Sequence, residues 1–342
     1  MFKDAMSPKE RVLAILGGRE ADRAATVNLT SVATLDSMAA TGASFPGAHL
    51  DAGEMAALAS AAHTELGFDS IMPKFGVTHA AAALGAIVDW RGGADMPVVT
   101  GRPVKDPEDF RMPGDFLDRG PVAVVLEAIK ALKARYGDTV AIVGKVMGPW
   151  TCAYNLYGTE SFLMDTASEP ERARAFLEAF SPIGLRFAMA QLEAGADLIV
   201  WCDHATGDLC GAEAYRELLL PVHKRLFGEL RSAGRPTVLH VCGKTLDRIG
   251  YFAESGADAF HFDSRNDVGA ALAAAGSMVL AGCVNNDEVL LKGTPESVAE
   301  RTAAILKAGI RLVSPECAVP CRTPNANLRA IAETVRAFGG GR

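Results

Sequence analysis

The sequence predicts an α/β protein built as a (β/α)8 barrel, and three observations carry that reading. Short apolar runs of strand length alternate with amphipathic stretches of helix length, the pattern of a parallel sheet. Eight such runs are spread over 342 residues, a length that suits a closed barrel. No G-x-G-x-x-G follows any of them, which argues against an open dinucleotide-binding sheet. The expectation is one domain over residues 1–342, with an N-terminal helical extension and an inserted hairpin and loop at roughly 80–118.

The elements follow in order. Ser7-Pro8-Lys9-Glu10 combines a capping serine, a proline at the first helical position and a glutamate three residues on, so a helix starts there and runs to about Gly17. "AATVNLT" is a short buried strand ending near Asn28, followed by a helix from about Asp51 to Leu66 and the strand "FDSIMPKF". Residues 80–118 carry Trp90, "RGGAD" and "MPVVTGRPV" with little helical periodicity, hence the insertion. Beyond it, helix 122–136 precedes strand "TVAIVGKV", and Ser168-Glu169-Pro170-Glu171 caps a long helix to about Ala194. Strand "DLIVWCD", helix 212–233, strand "PTVLHVCG", a helix from about Thr245, and strand "DAFHFD" come next. Helix 266–275, strand "MVLAGCV", helix 295–308, strand "RLVSPEC" and helix 324–338 complete the series. Gly234 and Gly309 stop their helices.

Composition narrows the function. A net charge of −7 with no dense Lys/Arg cluster speaks against nucleic acid as a partner. No apolar stretch reaches about twenty residues, so no membrane span is expected. The start, "MFKDAMSPKERV", lacks the apolar core of a signal peptide, and the expected setting is the reducing cytoplasm. Seven scattered cysteines make an odd number and no disulfide framework.

In a barrel of this kind, chemistry gathers where the strands end. Those ends supply Asn28, Lys74, Met147, Cys202-Asp203-His204, His240 and Cys242, Asp263, Cys283-Val284-Asn285-Asn286, and Cys317. His240 and Cys242 lie two apart at a strand end and share a face. Cys317 ends another strand three βα units on, and a closed ring brings it across the mouth. One imidazole and two thiolates form a zinc-type ligand set with a fourth position open, as catalytic zinc requires. Taken singly, each is read first as a packed core residue; only the combination weighs a metal site evenly against that reading. No C-x-x-C is present, which speaks against a structural finger. The residue types alone leave both the metal site and the packed core open.

"HVCGKT", "SPECAVPCRTPNANLRAI", "MSPKERVLAILGGREADR", "GPWTCAYNLYG" and "ADLIVWCDHATGDL" resemble the uroporphyrinogen decarboxylase superfamily, and more closely its methylcobalamin:coenzyme M methyltransferase branch. The resemblance implies a barrel in which His240, Cys242 and Cys317 bind zinc. It implies that the zinc activates a small thiol such as coenzyme M or homocysteine. The methyl donor it implies is a methylcobalamin-type cofactor on a separate corrinoid protein. The decarboxylase itself fits less well: its polyanionic substrate calls for arginines after the first strand, and "TVNLTSVATLDSMAATGASFPG" has no Arg or Lys. A metal-free decarboxylase or lyase and a non-catalytic corrinoid-protein partner stand as alternatives. A homodimer is left open.

Three further residues are assigned to substrate binding. Asp203 would orient a zinc ligand or the acceptor, Asn285 would hold the acceptor's polar end, and Met147 would line the mouth beside Trp150. Each has a plain counter-reading: helix capping for Asp208 and a surface place for His204 near Asp203, turn formation for Asn285, Asn286 and Asp287, and core packing for Met147 and Trp150. Cys321 departs from the branch's pattern, and its loop position favours an inert thiol. Cys283 is read either as facing the metal or as a buried thiol.

Overall fold

The computed structural model describes residues 4–339. Ten strands are present: β1 (Ala25–Thr26), β2 (Ser70–Ile71), β3 (Ile87–Asp89), β4 (Val98–Gly101), β5 (Ala141–Met147), β6 (Leu198–Cys202), β7 (Thr237–His240), β8 (Ala259–His261), β9 (Val279–Val284) and β10 (Leu312–Pro315). Eight of them form one parallel sheet in the order β1-β10-β9-β8-β7-β6-β5-β2, and β3 and β4 make a separate antiparallel hairpin. The helices lie between successive strands, as a (β/α)8 barrel requires.

The barrel closes between β1 and β2, where side chains take over from the strand ladder. The Asp69 amide donates to the Thr26 carbonyl at 2.7 Å. The Thr26 amide donates to Asp69 Oδ2 at 2.9 Å, and the Asn28 amide to Ser70 Oγ at 2.8 Å. This explains why the two apolar runs expected here yield strands of only two residues each. Below the seam, the buried guanidinium groups of Arg11 and Arg23 both reach Asp69, at 2.7 and 3.1 Å. Arg11 stands on the helix Pro8–Leu16, which begins with the expected Ser7–Glu10 capping box.

Most other boundaries fall within a few residues of expectation. One cap does not. Ser168 closes the helix Thr159–Ser168, its hydroxyl donating back to the Met164 carbonyl, and the long helix Pro170–Glu193 starts behind Glu169 without a side-chain cap. The reason is that residues 149–168 are already helical, so the serine ends one element instead of beginning the next. The loop after β1 also carries helices the periodicity did not reveal, Leu35–Thr41 and Gly47–Leu50, both too short to show an amphipathic repeat. Among the described residues, no helix is long and apolar enough to cross a membrane.

Candidate functional site

The ends of β7 and β10 bring His240, Cys242 and Cys317 into one cluster. Cys242 Sγ lies 3.0 Å from His240 Nε2 and 3.0 Å from Cys317 Sγ, and Cys317 Sγ lies 3.6 Å from His240 Nε2. Among the described residues these three are the one group of His, Cys, Asp and Glu whose ligand atoms converge this way. His240 is buried, and the two cysteines are partly open.

The neighbouring strand sets the direction of the imidazole. His240 pairs in register with His261 on β8, and His240 Nδ1 lies 3.2 Å from the His261 carbonyl. A carbonyl only accepts, so Nδ1 carries the proton and Nε2 presents its lone pair to the two sulfurs, the tautomer of a metal-binding histidine. His261 itself is kept neutral, its pKa pushed well down by burial. Its Nε2 donates to the Pro315 carbonyl at 2.8 Å, two residues before Cys317. One side chain and one carbonyl of β8 thus position ligand-type residues on both β7 and β10. Reading each strand end separately gave no sign of His261; the in-register pairing of β7 and β8 identifies it.

The loops behind the cluster are cross-tied. Asp263 Oδ2 accepts the Gly243 amide at 2.8 Å, directly after Cys242. Gly243 has φ +78°, and a Cβ there would meet Thr206 Oγ1 at 2.3 Å, so only glycine follows the cysteine without strain. Asn266 accepts the Thr245 amide and donates to the Gly243 carbonyl. Glu316 accepts the amides of Ser264 and Asn286 at 3.0 and 2.8 Å, joining the loops after β8 and β9 to the residue before Cys317.

The two sulfurs bias each other's charge. Cys317 is held well below the ordinary thiol range, chiefly by the hydrogen bond with Cys242. Cys242 is pushed well above it by the same neighbour and by burial. Two thiolates 3.0 Å apart repel, and a divalent cation between them is the group that lets both ionise. A neutral imidazole with a free Nε2 and two approaching sulfurs is a donor set that fits zinc.

The remaining expected residues sit as follows. Asp203 is fully buried: Oδ1 accepts the Thr151 amide at 2.8 Å, and Oδ2 meets His223 Nε2 at 2.9 Å. His223 in turn meets the Tyr215 hydroxyl at 3.0 Å. Asp203 thus ties the helix Pro149–Ala153 and the helix Leu220–Arg231 to the loop after β6. Asn285 caps residues 286–291, its Oδ1 accepting the amides of Asp287 and Glu288, and its Nδ2 donating to Ser264. Met147 ends β5 and is buried; it shares the inward face with Lys145, two residues earlier. Trp150 is fully buried and packs edge-on to Phe162 at 4.9 Å, inside the wall rather than at the mouth. His204 is half-buried, its amide donating to Thr151, and Asp208 pairs with Arg265. Cys283 and Cys321 are buried thiols with pKa values raised by burial, that of Cys283 to about 12, and neither joins the cluster.

Fold and site together define a class: a parallel (β/α)8 barrel whose mouth carries converging imidazole and thiol groups. The chain belongs to the uroporphyrinogen decarboxylase family, whose model matches residues 7–338. Within it, the chain is 33% identical over 334 residues to the methylcobamide:CoM methyltransferase MtbA of Methanosarcina acetivorans, covering 97% of this chain and 98% of that one. It is 34% identical over 333 residues to a methylated-thiol--coenzyme M methyltransferase of Methanosarcina mazei, covering 95% and 88%. A solved methyltransferase from Methanosarcina mazei superposes with a TM-score of 0.93 at 28% identity, covering 97% of this chain and 99% of that one.

Proposed function

We propose that this protein is a zinc-dependent methyltransferase that moves a methyl group from methyl-Co(III) of a corrinoid to a small thiol such as coenzyme M or homocysteine. The corrinoid is carried on a partner protein, and the reaction runs in the cytoplasm. The observation that carries the reading is the His240–Cys242–Cys317 cluster, aimed by the His261 carbonyl, in a chain similar along nearly its whole length to methylcobamide:CoM methyltransferases.

His240 Nε2, Cys242 Sγ and Cys317 Sγ would hold the metal. Bound there, zinc would supply a Lewis acid that lowers the acceptor thiol's pKa enough for it to lose its proton near neutral pH. The chain's own part is to shape that acid. Two anionic sulfurs cancel the charge of a divalent cation, so the acceptor's sulfur keeps much of its electron density for displacement at carbon. Three histidines would leave a stronger Lewis acid, suited to activating water. The methyl carbon leaves cobalt as the acceptor sulfur attacks it; the carbon–cobalt bond pair stays on the metal as Co(I), and the thiol proton goes to solvent. His261, Asp263, Asn266 and Glu316 act as positioning residues that keep the three ligand atoms together.

The test is methyl transfer from free methylcobalamin to a panel of thiols, followed by loss of the methyl–cobalt absorbance. The expected result is turnover with at least one small thiol, about one zinc per chain, and loss of both in Cys242→Ala. A metal-loaded wild type with substoichiometric zinc, or no transfer to any thiol, overturns the reading.

A further inference from the structure

Behind the end of β6 lies a chain of polar side chains that the proposed reaction leaves unused. Tyr215, His223 and Asp203 are each fully buried. The Tyr215 hydroxyl meets His223 Nδ1 at 3.0 Å, and His223 Nε2 meets Asp203 Oδ2 at 2.9 Å. A carboxylate only accepts, so Nε2 carries the imidazole proton. Burial pushes the Tyr215 phenol well above its ordinary pKa, so it keeps its proton and donates it to Nδ1. Each proton of the chain then has an acceptor. Asp203 Oδ1 is also taken, by the Thr151 amide at 2.8 Å.

Apolar side chains would fill this wall at less risk. A buried polar chain rigidifies its surroundings when every member is paired, and leaves an unpaired group when one is lost. The packing around it is aromatic: Phe227 stacks on the His223 ring at 5.0 Å, and Phe252 stands edge-on to Tyr215 at 5.0 Å. Fully buried, the three side chains do not touch a substrate, and any effect on the site runs through the backbone. Tyr215 opens a π turn over residues 215–219, ahead of the helix Leu220–Arg231 that carries His223. Such turns are rare and recur at functional sites. Gly148 makes room for the carboxylate, since a Cβ there would collide with Asp203 Oδ2.

The backbone link leads to His240. β6 ends at Cys202, in register with His240 at the end of β7. One residue on, the Asp203 amide donates to the His240 carbonyl at 3.1 Å, past the last paired residues of the two strands. With both carboxylate oxygens held, the Asp203 backbone is fixed, and this donor with it. His240 is gripped from two sides: at its carbonyl by the end of β6, and at Nδ1 by the His261 carbonyl of β8, 3.2 Å away. We infer that Tyr215, His223 and Asp203 are positioning residues for His240, holding the end of β6 so that the Asp203 amide keeps the imidazole aimed at the metal. The inference rests on the proposed zinc site and extends its support from β8 to the opposite flank.

Two readouts on the full chain test this: zinc affinity by chelator competition, and the visible ligand-field bands of the protein loaded with Co(II) in place of zinc, which report ligand geometry rather than stability. His223→Asn stops short of Asp203, whereas the amide nitrogen of His223→Gln takes the place of Nε2. His223→Asn is expected to weaken zinc binding about 10-fold and to shift the Co(II) bands, and His223→Gln to restore most of both. Leu226→Ala, a fully buried change on the same helix, is the control. It should lower the denaturant midpoint and leave affinity and bands at the wild-type values. Should His223→Asn fail to fold, Tyr215→Phe decides by the same readouts, with a loss of about 3-fold expected for one hydrogen bond. Wild-type affinity and bands in His223→Asn, or an equal change in Leu226→Ala, overturns the inference alone. A wild type that takes up neither metal overturns the proposed function, and the inference with it.

Discussion

The two sides of the barrel mouth are built on opposite principles. On the side of β7 to β10, side chains tie the backbone around the ligands: Asp263 holds Gly243, Asn266 holds Thr245, Glu316 holds Ser264 and Asn286, and His261 holds both His240 and Pro315, while His261 Nδ1 and Thr245 Oγ1 stay unpaired. On the side of β1, β2 and β5, Asn28, His49 and His79 have unpaired buried atoms and two lysines have no counter-ion. The first side is pre-organised: its ligand atoms are positioned before anything binds, as a site does when precision at the reacting atom matters. The second holds unmet hydrogen-bonding capacity.

The largest expected effect comes from breaking the ordered side. Cys317→Ser should lose zinc and methyl transfer together, whereas Cys321→Ser, four residues on but outside the cluster, should keep zinc and most activity. Metal analysis and the methylcobalamin assay read both. Equal loss in the two variants would mean that Cys321 is a fourth ligand, and the contrast between a ligand thiol and a buried bystander would fall.

Zinc removal should come next. The wild type should work well below the acceptor's own pKa, which is about 8.5 for a free thiol, and should release about one proton as the thiol binds at neutral pH. The stripped protein should be inactive at pH 7 and only partly rescued at high pH, where free thiolate exists but is not held in place. Calorimetry in buffers of different ionisation enthalpy measures the proton; thiol binding without its release would separate the cluster from the acceptor.

A smaller effect sharpens the pre-organisation argument. Asp263→Ala removes the acceptor of the Gly243 amide without touching a ligand atom, and should weaken zinc affinity about 10- to 100-fold while leaving the fold intact. Unchanged affinity in a chelator competition would show that the loop needs no such tie.

The smallest effect lies on the unsatisfied side and is a matter of sign. Lys145 and Lys74 have folded-state pKa values below the unfolded value of about 10.4, so between these values the unfolded chain binds more protons. Stability of the ligand-free protein should therefore rise as pH climbs from about 7 toward about 10, the charging penalty being fully present below that window. The rise should be shallower in Lys145→Met. Denaturant midpoints across the window test it, and a slope identical in wild type and variant would remove the buried charge from the account.

Much of this was legible in the chain. Strand and helix periods are local properties, so the alternation of elements, and with it the barrel, could be read directly. The H-x-C spacing at the end of β7 and the cysteine beyond β10 likewise marked the cluster. Asp203 was legible as a polar residue at a strand end, but its partners Thr151 and His223 lie 52 and 20 residues away, and only packing showed those bonds. Helices of seven and four residues after β1 left no period to detect, which is why His49 went unnoticed. Local pattern is enough to set the order of elements, the end of the barrel where chemistry gathers, and the residue types that can hold a metal. Tertiary structure alone decided which imidazole nitrogen faces the sulfurs, which acidic and amide side chains are spent on loops, and that two lysines are buried without a carboxylate. Those outcomes depend on strand register and on groups tens of residues apart, and burial and charge pairing are set by such neighbours in space, whose identity no local pattern encodes.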